Sequence, residues 1–326
     1  MKGIQHVEVS NRFAKFVFDL KRNITIVRGD SGTGKTTLYN MIADYVRLKE
    51  ESGVSLSCTK PCVVLSSGED YRYQLKRVRD SIVFVDEGAR YLDSPFFAQE
   101  AKNSDNYYVI FNREDLFNLP YSVEEIYEIK TSGKYHSLRP IYAANEKHRY
   151  ANETEPVDSD LRVLLTEDSE AGYEFYCKLF ATTGLTCETA GGKTKIFQWL
   201  SEHLNETTLV VADGAAFGPE MNRIMQFCKT HPGKVQVCLP ESFEWLILKS
   251  GIIPTKRREI AKVLSNPSEH IESSKYFSWE QFFAAELVKR TMGSTLQYSK
   301  RRLNTAYLQG GNPRRIAMEI FESIPK

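Results

Sequence analysis

Asn23-Ile24-Thr25-Ile26-Val27-Arg28-Gly29-Asp30-Ser31-Gly32-Thr33-Gly34-Lys35-Thr36-Thr37-Leu38 decides how the first half of the chain is read. Asn23 to Val27 has the apolar, β-branched composition of a buried strand, and Thr37 to Val46 opens a helix. Between them Gly29 to Thr36 matches the phosphate-binding spacing G-x-x-x-x-G-K-[ST]. Glycines let backbone N–H groups close on an anion, and the start of a helix adds a favourable dipole. At this spacing Lys35 reaches the β- and γ-phosphates and the Thr36 hydroxyl ligates Mg²⁺. The expected contact surface is therefore Gly29, Asp30, Ser31, Gly32, Thr33, Gly34, Lys35, Thr36 and Thr37, around a nucleoside triphosphate. A glycine-rich turn that matches by chance is the alternative, and the flanking strand and helix weigh against it.

Composition sets few further limits. The chain has 326 residues, 41% hydrophobic and 26% charged, which suits a soluble cytoplasmic protein of two domains. No apolar run approaches the roughly 18 residues of a membrane-spanning helix, so no membrane partner is expected. Ile4 to Val17 alternates apolar and polar residues and reads as strands, not as a signal peptide. Of the six cysteines, only Cys58 and Cys62 lie close in sequence, and no second pair completes a zinc site; free thiols are expected. Charge is uneven: net +2 over residues 1–150, −7 over 151–249 and +6 over 250–326. That pattern fits a metal-binding centre beside a phosphate-backbone surface, and equally two solvated faces.

The phosphate loop calls for an apolar strand ending in an acid, and Ile82-Val83-Phe84-Val85-Asp86-Glu87 supplies it. Apolar throughout, it reads as a central parallel strand. Asp86 would hold Mg²⁺ opposite Thr36, and Glu87 would polarise an attacking water as general base. A further strand, Tyr107 to Phe111, ends in Asn112-Arg113, where Arg113 can stabilise transferring charge in cis or across a subunit interface. The alternative is a surface turn with Arg113 paired to Glu114 or Asp115. His6 to Glu8 and Phe16 to Phe18 read as a hairpin, and Glu124 to Ile129 as a closing strand.

On these motifs the first domain resembles the ATPases of the ABC and OLD (overcoming lysogenisation defect) group, in which a hairpin leads into the phosphate-loop strand and the second acidic motif is Asp-Glu. The resemblance implies ATP as the nucleotide, Mg²⁺ as its cation, and assembly as a homo-oligomer or with a partner protein. Leu65-Ser66-Ser67-Gly68-Glu69 resembles that group's signature, followed by Tyr71, Leu75 and Val78 at helical spacing. Only about thirty residues precede it, fewer than the usual helical subdomain, and Cys62 to Leu65 reads equally as a strand entering a turn.

The polar stretch 145–159 has a linker's composition and separates residues 1–144 from 160–250. Beyond it strands and helices alternate. Strands are expected at Arg162–Thr166, Leu185–Thr189, Thr208–Ala212 and Val235–Leu239, and helices at Ala171–Phe180, Lys193–Leu204 and Pro219–Cys228. Such alternation means right-handed βαβ units and a parallel sheet, so the fold class is α/β in both domains. Chemistry in such sheets gathers beyond the carboxyl ends of the strands. Three of these strands end in acid: Glu167-Asp168, Asp213, and Glu241 with Glu244 one turn later. Two like charges about 4 Å apart repel by roughly 4 kcal/mol at an effective dielectric of 20, so a divalent cation or a shared proton must relieve them. Oxygen ligands favour Mg²⁺ or Mn²⁺.

This second domain is similar to the TOPRIM domain of topoisomerases, primases and OLD-type nucleases, which has a Glu ending its first strand and Asp-x-Asp ending its third. Glu167 matches the Glu and Asp213 the first Asp; Gly191-Gly192-Lys193 resembles a turn of some defence-associated members. Position 215 is Ala where the second Asp belongs, and Asp168 or Glu244 are the candidates to replace it. The resemblance implies catalytic roles for Glu167 and Asp213, and a metal held by Glu167, Asp213 and Glu244.

Residues 251–326 read as a helical, basic C-terminal region. A helix is expected from Ser278, as its cap, through Leu287. Lys300, Arg301, Arg302, Arg314 and Arg315 lie near Tyr298 and Tyr307, a mixture that can follow a nucleic-acid backbone. An ATPase followed by a TOPRIM-like domain resembles bacterial anti-phage proteins in which ATP turnover controls a nuclease. Two other readings stay open: a nucleotide-switched binding protein with a degenerate second site, and a small-molecule kinase, against which Asp86-Glu87 speaks.

Overall fold

A computed structural model describes residues 2–30, 32–65, 67–68, 70–150, 160–254 and 256–321. The protein is mixed α/β and divides into two compact units, Met1–Ile141 with Asn266–Phe277, and Tyr142–Ser265 with Ser278–Lys326. No helix among the described residues is long and apolar enough to cross a membrane.

The first unit is built on nine strands: β1 (Gln5–Ser10), β2 (Lys15–Leu20), β3 (Ile24–Arg28), β4 (Ser55–Cys58), β5 (Cys62–Val64), β6 (Ile82–Val85), β7 (Tyr107–Phe111), β8 (Ile126–Ser132) and β9 (Tyr135–Pro140). Its helices are α1 (Lys35–Leu48), α2 (Tyr71–Arg77) and α3 (Pro95–Lys102), with a short one at Pro267–His270. The sheet runs β4-β1-β2-β9-β8-β3-β7-β6-β5. Its β8-β3-β7-β6-β5 half is all parallel, whereas β1 pairs antiparallel with β2 and β4, and β8 with β9. Strands β3, β6 and β7 are buried along their whole length, which is why they are mainly apolar in sequence. Helix α1 buries Leu38, Met41 and Ile42 in one cluster with Phe16, Val27, Phe84, Val109 and Phe111. The expected hairpin, strands and P-side helix are thus present. The closing strand starts later than expected, at Ile126, because Ser122 accepts from the Glu124 amide and Val123–Glu125 makes a 3₁₀ turn.

The second unit has a five-stranded sheet, β10-β14-β13-β11-β12, formed by β10 (Arg149–Tyr150), β11 (Val163–Thr166), β12 (Thr186–Thr189), β13 (Thr208–Val211) and β14 (Val235–Cys238). All pairs are parallel except β10–β14. Helices α4 (Ala171–Leu179), α5 (Ile196–Glu202), α6 (Gly218–Thr230), α7 (Phe243–Lys249) and α8 (Arg257–Ser265) are joined by the helix Trp279–Thr291 and a short one at Asn312–Ala317. The alternation read from sequence holds strand for strand, with Lys193–Lys195 forming a 3₁₀ turn ahead of α5.

Three expectations are corrected. The polar stretch 145–159 is not all linker: Arg149 and Tyr150 are buried as an edge strand, with Arg149 bonded to Gln236; residues 151–159 lie outside the described ones. Residues 251–326 are not one region. Asn266–Phe277 belongs to the first unit, where Ile271 and Phe277 are buried, Ser268 O accepts from the Gly3 amide, and Phe277 O accepts from Asn23 Nδ2. Ser278 precedes its helix as expected, but its side chain makes no capping bond.

Candidate functional sites

The first site is the loop between β3 and α1. Gly29, Gly32 and Gly34 take φ of 136°, 84° and 100°, conformations that favour glycine, and they turn the chain sharply from the strand into the helix. Among the described residues no side-chain cap bond is made at the start of α1, whose N-cap is Gly34. Asp30, Gly32, Thr33, Gly34, Lys35, Thr36, Thr37 and Arg113 line an open cleft here of about 190 Å³. Ser31 and, in the signature-like segment, Ser66 and Glu69 lie outside the described residues.

Lys35 is only 5% exposed; its Nζ donates to Gly29 O and, at 3.1 Å, to Asp30 O, folding the side chain over its own loop. Burial lowers its pKa, against the opposing pull of Glu87, whose Oε2 stands 3.9 Å away. Glu87 Oε1 also pairs with Arg113 Nε at 2.6 Å. Glu87 therefore bridges the two cations of the cleft. Arg113 thus pairs with Glu87, while Asp115 is held at 2.5 Å by the buried Arg28, which also donates to Tyr121 OH. Parallel pairing of β3 with β7 and of β7 with β6 puts Gly29 and Asp86 at the same edge of the sheet. Asp86 is half-buried and Thr36 exposed. Both are oxygen donors, the set Mg²⁺ prefers. Burial, and then Asp86, raise the pKa of Tyr39.

The second site lies beyond the carboxyl ends of β11 and β13. Thr166, Glu167, Asp168, Asp213, Glu244, Tyr298 and Lys300 are among the residues lining one pocket. Its floor is held by backbone geometry. The Gly192 amide donates to Glu167 O at 2.5 Å, and Lys193 Nζ to Ala216 O at 2.7 Å, so Gly191-Gly192-Lys193 ties the Glu167 turn to the Asp213 turn. Only glycine fits at 214, because a Cβ there would lie 2.7 Å from Leu239 O. Glu167 Oε2 accepts from the Asp213 amide at 3.4 Å.

Burial, then Glu280 and Asp168, push the pKa of Glu167 up to about 7. Burial, then Glu280, Glu167 and Glu244, raise that of Asp213 well above the usual carboxylate range. Glu244 is also raised by burial, but it is 1% exposed and already accepts from Tyr298 OH at 2.8 Å. Asp168 accepts from the Glu170 amide and shapes the turn. Both candidates to replace the missing Asp line the pocket, each with one carboxylate oxygen already accepting a hydrogen bond. Among the described residues, no group of three or more His, Cys, Asp or Glu side chains is arranged to hold a metal ion. The fit extends to Glu167 and Asp213, since Mg²⁺ is commonly held by one or two carboxylates with the rest of its oxygens from substrate phosphate and water.

Sequence reading missed Glu280 and the place of Lys300. Lys300 Nζ meets Glu280 Oε1 at 2.5 Å and Glu170 at 3.6 Å. Burial opposes its charge, but Glu280, Asp213 and Glu244 outweigh that and raise its pKa. Lys300, read from sequence as part of a basic cluster that could follow a nucleic-acid backbone, is thus a counter-ion of the pocket's carboxylates. Tyr298 and Tyr307 are buried too, with Tyr307 OH bonded to Leu296 O, so they offer no stacking face to bases. Arg301, Arg302 and Arg314 remain exposed. Comparison with protein-family models and with curated proteins gives no match.

Proposed function

We propose that the protein is a nucleoside triphosphatase, ATP-directed by its likeness to the ABC and OLD group, whose turnover controls a TOPRIM-like nucleic-acid site in the second unit. The observation that carries the reading is the β3–α1 glycine loop, with Lys35, Glu87 and Arg113 gathered at its mouth. Lys35 would exchange Gly29 O and Asp30 O for phosphate oxygens, keeping its charge because the new partners are anionic. Arg113, drawn to the γ-phosphate, would release Glu87 to orient water. Thr36 and Asp86 are the residues that would hold Mg²⁺, which supplies charge neutralisation along the phosphates. In the second unit Glu167 and Asp213 would hold Mg²⁺ or Mn²⁺ against a phosphodiester, with Arg301, Arg302 and Arg314 following the backbone. Phage defence is the setting the likeness suggests.

The test is phosphate release from ATP without an added acceptor, which a hydrolase performs and a small-molecule kinase does not. Plasmid or RNA cutting with Mg²⁺ or Mn²⁺, compared with Glu167→Ala, tests the second unit. A second reading has its own support: Ala215 and the Lys300–Glu280 pair favour a nucleotide-switched binding protein that does not cut. It predicts ATP turnover with no cutting under any nucleotide condition.

A further inference from the structure

Strands β4 and β5 are the two outermost strands of the nine-stranded sheet, yet only Thr59, Lys60 and Pro61 connect them. The sheet therefore curls until its ends meet, with the apolar side of α1 inside. Cys58 closes β4 and Cys62 opens β5, and their Sγ atoms touch at 2.6 Å. Both thiols are half-buried. Hydrogen bonds tie the same two ends together: Thr59 Oγ1 donates to Gln5 Oε1 at 2.5 Å, Gln5 Nε2 donates to Tyr107 OH at 3.2 Å, and Tyr107 OH donates to Gly3 O at 2.9 Å. Gln5 belongs to β1 and Tyr107 to β7, which are far apart in the strand order.

We propose that Cys58 and Cys62 form a redox-active dithiol that closes reversibly to a disulfide and clasps the ends of the large sheet around α1. The oxidant is a low-molecular-weight disulfide of the glutathione class. The Cys58 thiolate attacks one sulfur of it, forming a mixed disulfide and releasing one small thiol, which takes up the Cys58 proton. Cys62 then attacks Cys58 Sγ, expelling the second small thiol, which takes up the Cys62 proton. The protein loses two electrons and two protons, and the small disulfide gains them. The shared hydrogen bond lowers the Cys58 pKa and raises that of Cys62, an asymmetry that assigns Cys58 as the first nucleophile.

The test uses the whole chain, incubated with excess oxidised glutathione and then analysed by thiol titration under denaturing conditions and by non-reducing peptide mapping. Titratable thiols should fall from six to four, with one new bond joining Cys58 to Cys62. Amide exchange in β4 and β5 should slow about tenfold, and dithiothreitol should reverse both changes. Cys62→Ser should stop at a mixed disulfide on Cys58, and Cys58→Ser should leave Cys62 unmodified. Persistence of all six thiols, a bond between other cysteines, or a wild-type mixed disulfide that never closes would overturn the proposal. Because the decisive count is made on wild type, a variant that fails to fold does not rescue it.

Discussion

The two candidate sites balance their charge in opposite ways. In the first unit, Lys35 rests on its own loop carbonyls and Glu87 stands between Lys35 and Arg113, so the cleft has cations held ready for an anion. In the second, Glu167, Asp213, Glu244 and Glu280 crowd a buried pocket, and Lys300 and Tyr298 partly offset them. In the first site one carboxylate, Glu87, stands between two cations, whereas in the second several carboxylates share Lys300. The difference teaches that the loop is preorganised by backbone and will change little on binding, whereas the acidic pocket stores repulsion that protons or a cation must relieve.

The largest effect that can break this contrast is at Lys35. Charge-assisted hydrogen bonds of about 2–3 kcal/mol are at stake, so Lys35→Ala should weaken ATP binding about 100-fold in titration calorimetry while thermal unfolding stays near wild type. Unchanged affinity would remove the first half of the comparison. Next is the pH dependence of the second unit. The Glu167 pKa is raised from its ordinary 4.5 to about 7, so the folded state binds the extra proton. The stabilisation is fully present below the unfolded value and is lost as pH rises through about 7; over that window it amounts to about 3 kcal/mol. Glu167→Gln should flatten that part of the stability profile in denaturant unfolding. A slope identical to wild type would mean that burial and its acidic neighbours do not hold a proton on Glu167. Smallest is Gly214→Ala, whose Cβ would meet the Leu239 carbonyl. It should destabilise the second unit by about 2 kcal/mol, read as a lower unfolding midpoint, and leave ATP affinity unchanged.

Much of the architecture was legible in the chain because its signals are local. The phosphate-loop spacing lies within eight residues, and the parallel strands Ile24–Arg28, Ile82–Val85 and Tyr107–Phe111 are mainly apolar because they are buried throughout. The parallel pairing of β11, β12, β13 and β14 followed from their strict alternation with helices. What stayed hidden depends on contacts far apart in sequence. Nothing near Ile271 announces that Asn266–Phe277 packs with the first unit. Glu280 opens an unremarkable helix, and Lys300 sits in a basic run, yet they meet across the second site. Tyr298 and Tyr307 carry the composition of a nucleic-acid surface and the burial of a core. The Cys58–Cys62 contact was hidden for the same reason: a spacing of three intervening residues does not say that both ends of a nine-stranded sheet meet there.

The central claim is that main-chain amides at the β3–α1 turn cradle a triphosphate. Hydrogen–deuterium exchange of residues 32–37, with and without saturating Mg²⁺–ATP, tests it most directly. The account predicts strong slowing of exchange at Gly34, Lys35 and Thr36 that Lys35→Ala abolishes at the same nucleotide concentration. Equal exchange in the presence and absence of nucleotide, with ATP bound elsewhere or not at all, would contradict it.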